Sequence, residues 1–254
     1  MAWEIMDNMI DLDLQMQENW EGYDYEQVFT HEELEEMGRR TVDLLTEAIE
    51  AGDKERAKKL ASRMYREFSS MHDLYVDWTA GFMDYIYTNH GEDALYQALR
   101  KVIGAYIGPM VDVKKVDFRR RVQGLASVLR AHLEAMKVEE DDEKVCITME
   151  PCGSGQRLVQ RGAYEPPRNL AMIQKPHAMT WGMSDFPIYC THSPVLEILS
   201  IEQLGYPANV TIPPEKMAGG SCRYCIYKNV EDIPERVYTR VGKPKAQRWI
   251  RTAR

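Results

Sequence analysis

Leu60, Met64, Phe68, Met71, Tyr75, Trp78 and Phe82 follow one another at steps of three or four residues, a spacing that sets large apolar side chains along one side of an α-helix. The row predicts a single long helix with one continuous buried stripe, capped by Asp53 and punctuated by Gly91. Residues 32–51 read as an acidic helix ended by Gly52, and residues 92–107 as another that stops at Gly108-Pro109. Asp117 opens a fourth, with Phe118, Val122, Leu125, Leu129, His132 and Met136 on one face. The run of carboxylates over residues 139–143 then ends the helical part and marks a domain border.

Beyond that border the period changes. Residues 144–150 have strand character, and Pro151-Cys152-Gly153-Ser154-Gly155 is a turn too rich in glycine for regular structure. Pro166, Pro167, Pro176 and Pro187 make residues 164–187 an irregular segment. Pro194 behind a Ser193 cap starts a helix that Gly205 ends, and residues 209–213 and 221–228 alternate as two strands turning at Gly219-Gly220. The pattern is α+β: an N-terminal helical bundle packed on a small C-terminal antiparallel sheet with one helix. Its regions are a helical part over 1–140, a cysteine-containing α+β part over 141–230 and a basic tail over 231–254.

Charge is unevenly spread. Residues 1–50 hold fifteen carboxylates against Arg39 and Arg40, whereas residues 236–254 hold seven Lys or Arg and no Asp or Glu. The ends can attract each other within one chain or between subunits, which leaves a homo-oligomer open. A net charge of −8 argues against a nucleic-acid partner. The start lacks the basic and apolar segments of a secretory signal, and no apolar stretch approaches the roughly 18 residues of a membrane span. The expectation is a cytoplasmic protein with no membrane association. Five cysteines, an odd number in a chain too long to need staples, point to free or metal-bound thiols in a reducing compartment.

All five lie in the last 110 residues, and four of them, Cys152, Cys190, Cys222 and Cys225, draw attention by their neighbours or spacing. Cys152 sits in the glycine turn, where backbone N–H groups can face a bound oxyanion, so it reads as a nucleophile or as an incidental residue of a tight turn. Ser154 shares that loop, Arg157 can hold a substrate carboxylate, and Trp181 and His177 occupy the irregular segment where binding groups collect. Cys190 and His192 precede a helix N-terminus, which can lower a thiol pKa; the alternative is a buried cysteine and a surface histidine. Cys222 and Cys225 are three apart, and on a strand an odd spacing sends their sulfurs to opposite faces, making Cys225 a packed core thiol. His72 and His132 fall on apolar helix faces and form, with Cys152 and His177, a candidate acid/base and nucleophile set.

The order Cys190-Thr191-His192-Ser193-Pro194, helix, Gly205-Tyr206-Pro207, strand, Gly219-Gly220-Ser221-Cys222-Arg223-Tyr224 resembles the end of the L-2-amino-thiazoline-4-carboxylic acid hydrolase-like proteins. It is similar, more distantly, to the 4-vinyl reductase domain of small-molecule sensors. The resemblance covers residues 185–228. It implies zinc-ligand roles for Cys190 and Cys222 and, with poorer spacing, for Glu215; the sensors' third cysteine has no counterpart here unless His192 replaces it. It also implies hydrolysis of a C–N or C–S bond in a small polar or heterocyclic molecule. The competing expectation is a zinc-containing, sensor-like binding module without turnover.

Overall fold

The computed structural model describes residues 29–110 and 116–246. The chain is α+β, as its pattern predicts. It divides into two units at Tyr75 and Val76, inside the long helix and not at the carboxylate run near residue 140.

In the first unit, the expected acidic helix is two: α1 (His31–Met37) and α2 (Thr41–Glu50). Thr30 caps α1 through a reciprocal pair with Glu33, and Gly38 follows its last turn. Leu44 and Ala48 of α2 bury against Leu60 of α3 (Lys54–His90), and the Thr41 hydroxyl donates to Glu67 at 2.8 Å. Asp53 accepts from the Arg56 N–H at 3.0 Å at the start of α3.

The second unit is built round a four-stranded antiparallel sheet of order β1-β2-β6-β5, made of β1 (Met136–Glu140), β2 (Lys144–Met149), β5 (Val210–Ile212) and β6 (Arg223–Tyr227). The carboxylate run is no border: Glu139 and Glu140 pair with Cys146 and Val145, and Asp141 closes the β1–β2 turn by accepting from the backbone N–H groups of Glu143 and Lys144. The helical part therefore ends before residue 136, at α5 (Phe118–Arg130), which Asp117 caps. Alternation in β2 gives the sheet two buried faces. Ile147 and Met149 pack beneath Leu129 of α5 on one side, while Cys146, with Cys225 of β6, faces the main core on the other.

That main core joins α4 (Glu92–Met110), which packs along α7 (His192–Leu204), with Val76, Ala80 and Met83 of α3 and the irregular segment over 164–187. A short pairing of β3 (Met172–Ile173) with β4 (Phe186–Pro187) organises that segment. Helix α6 (Gly155–Gln160) leads into it. Gly205 ends α7 with φ 82°, a left-handed turn that suits glycine. The residue before α7 is Thr191, not a Ser193 cap.

Two further expectations are corrected. Residues 231–246, read as part of a basic tail, join the core: α8 (Glu235–Thr239) buries Val237 and Tyr238, and Arg240 reaches the fully buried Glu197 at 2.7 Å and the Thr211 carbonyl at 2.6 Å. Trp249 and Ile250, the apolar pair of that tail, lie outside the described residues. Cys225 is in the core, as expected, but it is not a free thiol: it is joined by a disulfide to Cys146, its register partner on β2. No helix among the described residues is long and apolar enough to cross a membrane.

Candidate functional site

The three remaining cysteines, Cys152, Cys190 and Cys222, are free, and all three line one cleft although 70 residues separate the first from the last. Each arrives from a different element. Cys152 follows β2 on the glycine turn, Cys190 lies within the short helical turn Ile188–Thr191, and Cys222 stands one residue before β6. His132, just past α5, and His192, at the start of α7, complete the polar lining.

Glycine sets the tightness of this convergence. A Cβ on Gly153 would stand 2.2 Å from the His132 carbonyl oxygen, and one on Gly155 would stand 2.8 Å from the Cys190 sulfur. The Cys152 turn is thus glycine-rich so that it can pass between His132 and Cys190. That steric need is a simpler account of the two glycines than an oxyanion nest.

Two hydrogen-bonded chains run through the wall. His132 Nδ1 lies 3.4 Å from the Ser154 hydroxyl, which also meets the Tyr189 phenol. His192 Nδ1 lies 2.6 Å from the Tyr189 carbonyl, which can only accept, so that nitrogen carries the proton. In the neutral ring Nε2 then holds a lone pair, 3.2 Å from the Ser193 hydroxyl. Burial lowers the His192 pKa and favours this neutral form. The rings of Tyr189 and His192 meet edge to face at 4.9 Å.

The thiols are not activated by their surroundings in the way the helix N-terminus at Cys190 suggests. Burial pushes Cys190 well above the ordinary thiol range and Cys222 up to about 12, and each neighbouring cysteine opposes a second negative charge. Desolvation wins over the dipole: among the described residues no Asp, Glu, Lys or Arg lines the cleft, and Arg240 offsets only part of the upward shift at Cys222. Burial likewise raises the Tyr189 phenol to about 12.

Sequence reading placed several other residues here that lie elsewhere. His72 lies 3.1 Å from Asp73 within the first unit. His177 caps the turn Ala178–Thr180 and stands 3.2 Å from Glu92. Arg157 is 3.0 Å from Glu134, so its charge is engaged and does not face the cleft. The Trp181 indole donates to Glu197 at 2.7 Å beneath Arg240, a buried structural cluster. Glu215 is exposed and does not line the cleft. Of the sequence-derived residues, His132, Cys152, Ser154, Cys190, His192 and Cys222 come together.

The metal set implied by resemblance does not fit as placed. Cys190, His192 and Cys222 share the cleft, but among the described residues no three His, Cys, Asp or Glu are grouped to hold a metal ion. Sequence reading also missed Tyr224, two residues from Cys222, although a two-residue step on a strand returns to the same face. It missed Gln156 as well, whose buried Oε1 accepts no hydrogen bond from the described residues.

No family model, curated protein or solved structure matches the chain.

Proposed function

We propose that this protein is a thiol-dependent enzyme that hydrolyses a C–N or C–S bond of a small, polar, weakly charged molecule in the Cys152 cleft. The observation that carries the reading is that Cys152 and His132 line one cleft with Cys190, His192 and Cys222, and that among the described residues no Asp, Glu, Lys or Arg lines it. In this account His132 takes the Cys152 proton as sulfur attacks the electrophilic carbon, and returns it to the leaving nitrogen or sulfur. Water then cleaves the thioester-like bond between the substrate carbon and Cys152, releasing the acid and restoring the thiol.

The uncharged lining favours an amide, amidine or small heterocycle over a strongly ionised compound. Localisation in the cytoplasm is part of the same reading, supported by the three free thiols of the cleft and opposed by the Cys146–Cys225 disulfide, a bond rare in reducing compartments.

A metabolite-depletion screen with purified protein, repeated with Cys152→Ala and His132→Ala, tests the proposal. Loss of turnover in the first and a decrease of about 10²–10⁴-fold in the second are expected. Full turnover in Cys152→Ala contradicts it. Binding without turnover in the native protein moves the account to a small-molecule-binding module.

A further inference from the structure

The stripe on α3 that the sequence marks as buried is largely exposed. Met64, Phe68, Met71, Phe82 and Tyr85 are 37–68% exposed, and Tyr75 and Trp78, at 55% and 54%, hold the same line while making contacts within the chain. From Met64 to Tyr85 the steps are four, three, four, three, four, three. That is a strict seven-residue repeat, the period of a helix that winds along another helix and not that of one lying on a globular core.

The chain's own core is already served by the other side of α3. Val76, Ala80 and Met83 are at most 6% exposed and belong to the main core. At roughly 100° per residue they lie opposite Trp78, Phe82 and Tyr85. A helix apolar on two opposite sides is stable in water only if both are covered. No charged residue interrupts the repeat from Met64 to Tyr85.

From this geometry we infer that α3 is a dimerisation helix and that the occupant of its exposed stripe is α3 of a second copy. The second copy supplies the same seven-residue repeat, so a two-fold axis lets each row of Met and aromatic side chains pack into the other. The row spans roughly 30 Å at about 1.5 Å per residue. Its exposed side chains, at roughly 75–160 Å² each, approach the roughly 800 Å² per partner of a standard stable interface. The inference does not depend on the chemistry of the Cys152 cleft.

Light scattering on the full chain tests it, with Phe68→Arg/Phe82→Arg as the variant. The native protein is expected at twice its 29.4 kDa chain mass and the variant at 29.4 kDa, with an unchanged far-ultraviolet circular dichroism spectrum. A native mass of 29.4 kDa at every concentration overturns the inference, since the stripe is then covered by the chain's own remaining residues or by a different protein. A variant that keeps the doubled mass overturns it too. Should the variant fail to fold, hydrogen exchange of the native protein decides: protection over residues 64–85 must fall on dilution, and protection independent of concentration contradicts a dimer.

Discussion

A Cβ on Gly153 would come within 2.2 Å of the His132 carbonyl oxygen, so the turn that carries Cys152 and the end of α5 fit only without a side chain. Gly153→Ala is expected to cost about 1–3 kcal/mol of stability through overpacking and to displace Cys152 from the cleft. Urea denaturation, together with the alkylation rate of Cys152, checks both. An alanine variant with native stability and native Cys152 reactivity would show that the contact is relieved freely.

His192 predicts a dependence on pH. Its folded pKa is lowered by burial, so the unfolded chain binds the proton more readily. The contribution to stability is full above the ordinary histidine value of about 6.5 and is lost as pH falls through that value toward the lower folded one. His192→Asn keeps a donor for the Tyr189 carbonyl and removes the titration. Its denaturation midpoint should therefore change less between neutral and mildly acid pH than that of the native protein. The slope that remains includes His177, which burial lowers as well. Identical slopes contradict a buried, neutral His192.

Legibility in the sequence differed by kind of feature. Strand character was enough to put Cys225 in the core, and a proline and a glycine bounded α7, because such signals act over a few residues. The partner of Cys225 was illegible: Cys146 sits in an apolar strand between Val145 and Ile147, and only the β2–β6 register, formed across a sequence separation of 79, makes them opposite. The cleft was half legible, since residue chemistry singled out Cys152, Cys190 and Cys222 while His72 and His177 shared the same signal without the same place. The stripe on α3 shows the limit most clearly, as periodicity defines an apolar face and says nothing of what covers it.

The Cys146–Cys225 disulfide joins the two central strands of the sheet across 79 residues. Cys225→Ala, or reduction of the native protein, should lower stability by about 2–4 kcal/mol through the freed unfolded chain. Urea denaturation with and without reductant measures it, and the intact mass should rise by two hydrogens on reduction. A midpoint indifferent to reductant contradicts a structural disulfide.

Competitive alkylation of the native protein, read at each cysteine by peptide mass spectrometry near neutral pH, tests the account of the cleft most directly. Cys190 and Cys222 are held as thiols by burial, and rate follows thiolate fraction and access. Cys152 should therefore label first by about tenfold or more, and His132→Ala should slow it while leaving the other two unchanged. Labelling of Cys190 or Cys222 ahead of Cys152, or a Cys152 rate indifferent to His132, would contradict Cys152 as the working thiol.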